Sequence, residues 1–335
     1  MNRFAVIIPY FGQFKPSISL FLESCNRNSD VDWFVFTDCE IPADVTLNIN
    51  IHWVSTTLEH IKIMAQEKIG CKVALSRAYK LCDLKPFFGI IFRDYLKGYE
   101  YWGFGDVDVV YGRLSAYLDS IDYFRYDKIN WMGHLCFVRN SDSCTATALE
   151  KVDETIDASK VLSNENNLGF DERDYNKKCL AKGMKIYTGK WAADIDVFYW
   201  RMRCVDLKTF HYLLHTREID YAPKNYSRQM FALIDDSVYR IFLNNHQVHL
   251  EEFAYIHFRK EVPIHLDRLR TDSYIISRTG FWPLKGGSIA LSDYNTVKEL
   301  IDRYNNQENW LQELQCFWHY YREYSRKNNR IREKG

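Results

Sequence analysis

Asp106 and Asp108 stand two residues apart in Tyr101-Trp-Gly-Phe-Gly-Asp-Val-Asp-Val-Val-Tyr111, with apolar residues leading in and out. In an extended chain, residues i and i+2 lie on one face. The two carboxylates are therefore expected to project together at or near the end of a buried strand. Two like charges so placed call for a cation, and hard oxygen ligands suit Mg²⁺ or Mn²⁺. The same triplet also fits a turn in which one Asp caps a helix and the other is solvated. The rest of the chain has to decide between them.

Four other groups bear on that choice. In Tyr255-Ile-His-Phe-Arg-Lys260, alternation puts His257 on the face opposite Ile256 and Phe258, where an imidazole can serve as a third metal contact. Arg259 and Lys260 follow at once, as a phosphate-facing loop requires. Lys80 and Asp83, three apart on a helical stretch, share a face. They fit a surface ion pair, or a lysine that neutralises phosphate beside an aspartate that accepts from hydroxyls. Asp171, Glu172 and Asp174 fall where a helix begins, which suits either dipole stabilisation or a general base.

These residues need a scaffold. Apolar runs at Phe4–Ile8, Asp32–Asp38 and Ile49–Val54, with a helical pattern through Cys25, read as a βαβ unit. Right-handed crossovers then imply a mostly parallel sheet with helices on both faces. Ligands of such sheets bind beyond the carboxyl ends of the strands, where Pro9, Tyr10 and Asp38 stand. Residues 78–96 continue as helix, 128–139 as a strand or hairpin, and 205–245 as short helices and loops. Trp131 and Trp191 are readable as stacking walls for sugar rings or as core.

The chain has 335 residues, a formal net charge of +0 and 47% hydrophobic residues, which suits a globular protein and gives no support to a nucleic-acid partner. Nine cysteines without a Cys-x-x-Cys pair read as reduced thiols of a cytoplasmic protein. No run approaches a membrane span. The stretch Trp310–Tyr324 has an apolar stripe and a basic tail follows it. That end fits a packed helix with a solvated tail, or a peripheral contact with an anionic membrane.

Taken in order, Phe4-Ala-Val-Ile-Ile-Pro-Tyr-Phe-Gly12, Phe36-Thr-Asp38, Tyr79-Lys-Leu-Cys-Asp-Leu-Lys-Pro86, Trp102–Gly112, Phe170-Asp-Glu172 and Tyr255-Ile-His-Phe258 resemble the bacterial capsule and O-antigen glycosyltransferases of GT-A fold. The likeness covers roughly residues 1–265; 266–335 then form a C-terminal helical extension. It implies a Rossmann-like α/β domain with a mixed, mostly parallel sheet. It also implies a divalent cation and a nucleotide-sugar donor, usually a uridine diphosphate sugar, with galactose as the guess. The acceptor would be a saccharide or lipid-linked saccharide, reached from the cytoplasmic membrane face. Residue by residue, Asp108 and His257 match the metal ligands, and Asp106 contacts the metal or the donor. Pro9, Tyr10 and Asp38 match the loop that holds the nucleotide base, and Asp171 and Glu172 the carboxylate that inverting members keep as general base. Two rivals share the carboxylates: a metal-dependent nucleotidyltransferase, which usually has a Gly-rich phosphate loop after its first strand, and a non-catalytic carbohydrate-binding scaffold. Against the scaffold, an unneeded pair of buried carboxylates is costly.

Overall fold

A computed structural model describes residues 3–196, 203–204, 224–258, 273–277, 280–286 and 291–304. The described chain groups into two compact units: 3–192 with 253–257, and 193–196, 203–204, 224–252, 258 with the described residues from 273 on. The expected boundary at residue 265, Arg259, Lys260 and the stretch Trp310–Tyr324 with its basic tail lie outside the described residues.

The first unit is built on a seven-stranded sheet in the order β3-β2-β1-β4-β7-β6-β8. The strands are β1 (Phe4–Tyr10), β2 (Val31–Thr37), β3 (Ile51–Ser55), β4 (Tyr101–Gly105), β6 (Lys128–Ile129), β7 (Leu135–Arg139) and β8 (Ile186–Tyr187). β1 pairs in parallel with β2 and β4, β2 with β3, and β6 with β8; only β7 runs against its neighbours β4 and β6. This is the mixed, mostly parallel α/β sheet that the motifs implied. Its central strands are apolar on both faces because both are covered. Ala5, Ile7, Phe36, Trp102 and Phe104 pack on one side with helical residues Leu84, Phe87, Phe88 and Ile91. Val6, Ile8, Trp33 and Tyr101 pack on the other with Phe21 and Leu22 of the helix Ile18–Arg27.

Beyond Gly105 the chain leaves this sheet. Asp106, Val107 and Asp108 form a bend, and β5 (Val109–Tyr111) pairs antiparallel with β14 (Tyr255–Phe258), which sets His257 against Val109. The two aspartates thus stand at strand ends, Asp106 just past β4 and Asp108 just before β5, as expected of carboxylates at or near the end of a buried strand. They sit between strands, with side chains 33% and 31% exposed.

Of the stretch 205–245 expected as short helices and loops, 205–223 lie outside the described residues, and the second unit corrects the reading of 224–245. Its described residues hold the antiparallel pair β9 (Ala192–Asp196) and β10 (Arg203–Cys204). They also hold β11 (Gln229–Ile234), β12 (Ser237–Asn244), β13 (Gln247–Phe253), β15 (Ser273–Ser277) and β16 (Gly280–Pro283), in the order β13-β12-β11-β15-β16. Two tight turns carry this meander. Asp235 and Asp236 have φ of 46° and 66°, and Asn245 and His246 have 49° and 58°. Two successive positive φ values match the strand twist of a hairpin. Neither turn contains glycine, so both are hard to read from sequence. The helix Tyr294–Tyr304 lays Val297 and Ile301 onto Met230, Ala232 and Ile275 of this sheet.

Candidate metal and donor site

Asp106 extends the last rung of β4: its N–H donates to the His134 carbonyl at 3.1 Å. Its Oδ1 accepts from Lys85 Nζ at 2.6 Å. Asp108 Oδ1 lies 3.5 Å from His257 Nε2, whose ring stacks on His134 with centroids 4.2 Å apart. His134 Nδ1 is in turn 2.5 Å from the Tyr255 hydroxyl. Burial works against the charge on Asp108, but the hydrogen bond and charge of His257 overrule it and hold the carboxyl below its ordinary range. One ligand atom from each of Asp106, Asp108 and His257 falls within 4.8 Å of the others. Two carboxylate oxygens and an imidazole nitrogen, partly exposed, fit Mn²⁺ or Mg²⁺ with positions left for other ligands. A carboxylate has acceptor sites on both oxygens, so the Lys85 bond does not preclude ligation by Asp106.

Residues 6–285 match the sequence model of a family of unknown function, DUF6625. The chain belongs to that family. No curated protein matches this DUF6625 chain. Among solved structures it is similar to mouse xyloside xylosyltransferase 1 in its apo form, with 10% identity over 65% of this chain and 95% of that one, at a TM-score of 0.38. It is similar to the galactosyltransferase LgtC bound to donor and acceptor sugar analogs, with 8% identity over 92% and 99% of the two chains, at 0.36. A protein of Desulfovibrio desulfuricans G20 described as a nucleotide-diphospho-sugar transferase shows 9% identity over 56% and 79%, at 0.30. At such scores the functional reading has to rest on the side chains of the DUF6625 chain itself.

Lys85 is the residue that spacing missed. Its side chain is only 7% exposed, and its ammonium donates to Asp106 and to the Gly133 carbonyl at 3.0 Å, with Asp171 Oδ2 at 3.8 Å. Burial opposes that charge, but Asp106, with help from Asp171, outweighs it and holds the ammonium pKa well above its ordinary value. Gly133 is the hinge of the group, because its N–H donates to Glu172 Oε1 at 2.9 Å. A Cβ there would meet Asp171 Oδ2 at 2.5 Å, so only glycine lets the acids in this close. The turn that carries Gly133 starts from Asn130, a non-glycine residue at φ 68°. Asn130 side-chain bonds to Leu135 O and Tyr255 hold it in that conformation, and Lys128 caps its carbonyl at 2.7 Å.

Asp171 and Glu172 precede the helix Asp174–Ala181 rather than lying in its first turn. Asp171 is buried, and burial pushes its carboxyl up to about 7; Lys85 opposes this, while Glu172, Asp106 and Asp83 add to it. An acid poised there is suited to taking a proton near neutral pH.

Lys80 and Asp83 are placed differently from the phosphate and hydroxyl contacts expected of them. They bond each other at 2.7 Å with side chains 1% and 0% exposed. Asp83 also accepts from the N–H groups of Leu168 at 2.7 Å and Phe170 at 2.8 Å, and Lys80 donates to Asn166 O at 2.9 Å. The pair therefore holds the loop that ends at Asp171. Helical spacing does pair Lys80 with Asp83, and it is Lys85 that reaches Asp106.

At the carboxyl ends of β1 and β2, Pro9 pairs with Phe36, and exposed Asp38 accepts from the Gly12 N–H at 3.0 Å. Tyr10 stacks on Phe14 with centroids 4.7 Å apart, and Phe14 meets Trp53 at 5.8 Å. Phe14 and Trp53 extend the aromatic surface that Tyr10 began. Trp131 and Trp191 belong to the core instead, at 4% and 3% exposure, with Trp191 edge-on to Tyr117 and Tyr255.

Proposed function

We propose that this DUF6625 member is a metal-dependent glycosyltransferase, moving a sugar from a nucleotide-sugar donor to a saccharide acceptor. The convergence of Asp106, Asp108 and His257 beside the Lys85–Asp171 pair carries the reading. Those three side chains would hold the cation. A divalent ion there supplies Lewis-acid stabilisation of the charge that grows on a departing diphosphate.

The chain's own residues do the rest. Tyr10, Phe14 and Trp53 offer flat faces for the base at the carboxyl ends of β1 and β3. Lys85 holds Asp106 and the Gly133 turn in place. Asp171, with its elevated pKa, or Glu172 takes the acceptor hydroxyl proton. Arg259 and Lys260, which directly follow β14 in the sequence, are retained as candidate cations for the diphosphate on motif resemblance alone.

Motif resemblance alone supports a finer version: a uridine diphosphate donor, galactose as the sugar, and a bacterial capsule or O-antigen as product. Peripheral contact with the cytoplasmic membrane face belongs to that version too. Among the described residues, no helix is long and apolar enough to cross a membrane.

The test is a panel of nucleotide sugars with saccharide acceptors, with and without Mn²⁺, reading the released nucleotide. Release of nucleoside diphosphate that depends on Mn²⁺ is expected; release of sugar 1-phosphate instead would indicate a nucleotidyltransferase. Asp108→Ala should lose Mn²⁺-dependent nucleotide binding and keep its circular dichroism spectrum. Binding that survives in Asp108→Ala would sink the assignment.

A further inference from the structure

Lys85 does something unusual for a metal site: it places a buried cation on one of the metal's own carboxylates. Its ammonium is 2.6 Å from Asp106 Oδ1, and Asp106 is one of the three groups whose ligand atoms converge. The ammonium cannot move far. Besides Asp106 it is tied to the Gly133 carbonyl at 3.0 Å, and Asp171 Oδ2 stands 3.8 Å away. It therefore stays close to the bend when an ion arrives.

The charge count has a consequence. Asp106 and Asp108 bring two negative charges and Lys85 returns one positive charge. A divalent ion added to these three charges leaves them net positive, and the ammonium it meets belongs to a side chain only 7% exposed. An arriving diphosphate supplies the missing negative charge.

Resting on the functional reading above, the geometry points to Lys85 as the residue that makes metal binding depend on the nucleotide diphosphate: it weakens the site for a cation alone and is balanced once the diphosphate is present. Lys85 is thus a positioning residue with a second effect, on the order in which the site fills. By linkage, the nucleotide must tighten the metal by the same factor as the metal tightens the nucleotide.

The probes are Mn²⁺ alone, UDP alone and both, titrated against the full chain by calorimetry and by loss of the free Mn²⁺ paramagnetic signal. Wild type should bind Mn²⁺ about tenfold or more tightly with saturating UDP than without it. Lys85→Met should bind Mn²⁺ alone about tenfold more tightly than wild type and keep little of the UDP effect. Lys85→Arg, which retains the charge, should behave like wild type. Should Lys85→Met fail to fold, the same comparison is read on Lys85→Gln. Folded Lys85→Met or Lys85→Gln with unchanged or weaker Mn²⁺ affinity overturns the inference. So does a wild type whose Mn²⁺ affinity ignores UDP, an outcome that leaves the transferase reading standing. Absence of Mn²⁺ binding under every condition removes both.

Discussion

Replacing Asp83 by asparagine tests the claim that Lys80 and Asp83 hold the fold and do not meet the donor. Asp83 accepts three hydrogen bonds, from Lys80 Nζ and from the N–H groups of Leu168 and Phe170, all between 2.7 and 2.8 Å. The amide keeps the shape but loses the charge, and one end of it can only donate. The Lys80 ammonium, 1% exposed, is then left without its counter-ion. Removing one partner of a buried pair costs about 3–5 kcal/mol. Domains of this size lose about 2–4 °C in melting temperature per kcal/mol, so a fall of roughly 6–20 °C is expected. Urea unfolding followed by circular dichroism gives the free energy directly. A cycle with Lys80→Met and the double variant isolates the pair, whose double should cost less than the two singles together. Turnover of Asp83→Asn below its melting point should also drop, since Asp171 directly follows Phe170, whose N–H the carboxylate holds. A cost below about 1 kcal/mol, with additive singles, would refute the reasoning and return both residues to the candidate ligands.

Two further perturbations bear on the acidic side of the site. Gly133→Ala places a Cβ 2.5 Å from Asp171 Oδ2 and 3.2 Å from Glu172 Oε1, so thermal stability should fall by about 1–3 kcal/mol and turnover should fall with it; unchanged values for both would contradict the packing. Asp171 holds its proton more tightly folded, with a pKa of about 7 against 3.8 for the ordinary side chain. The stability from this group is therefore full below pH about 4, declines as pH rises, and is gone above about 7. Melting curves from pH 4 to 8 should show wild type losing stability relative to Asp171→Asn as pH rises, and a gain would count against the buried acid.

Much of the scaffold was legible because its signals are local. Phe4–Ile8 and Val31–Thr37 are short apolar runs rich in β-branched and aromatic residues, which marks them as buried strands and not helix. The hairpin of β6 and β7 was likewise visible in 128–139. Asp235-Asp236 was not, since its positive φ values come without the glycine that usually marks such turns. Within the site, Asp106, Asp108 and His257 could be singled out by type and alternation, and the structure brings them together. Lys85 could not. Its role depends on Gly133 and Asp171, which lie far along the chain, and no spacing rule links them to it. Lys80 was singled out in its place by its three-residue spacing from Asp83, and that spacing does pair the two, but in the buried interior.

The return of β14 to β5 has a bearing on how the protein is made. His134 and Tyr255, which bond each other, are 121 residues apart in sequence, and His257 arrives with the same late strand. A ribosome working at about 5–20 residues per second leaves β5 without its partner for several seconds or more after Asp108 has emerged. During that interval β5 is an open strand edge beside Asp108, whose partner His257 has not yet been made. The apolar sheet of β1, β2, β3 and β4 can collapse first, but the cation site completes only when the last strand docks. Completion of the cation site should therefore differ in rate from the assembly of the sheet. Slow recovery of Mn²⁺ binding after denaturant dilution, lagging behind recovery of secondary structure, would be the signature of that order.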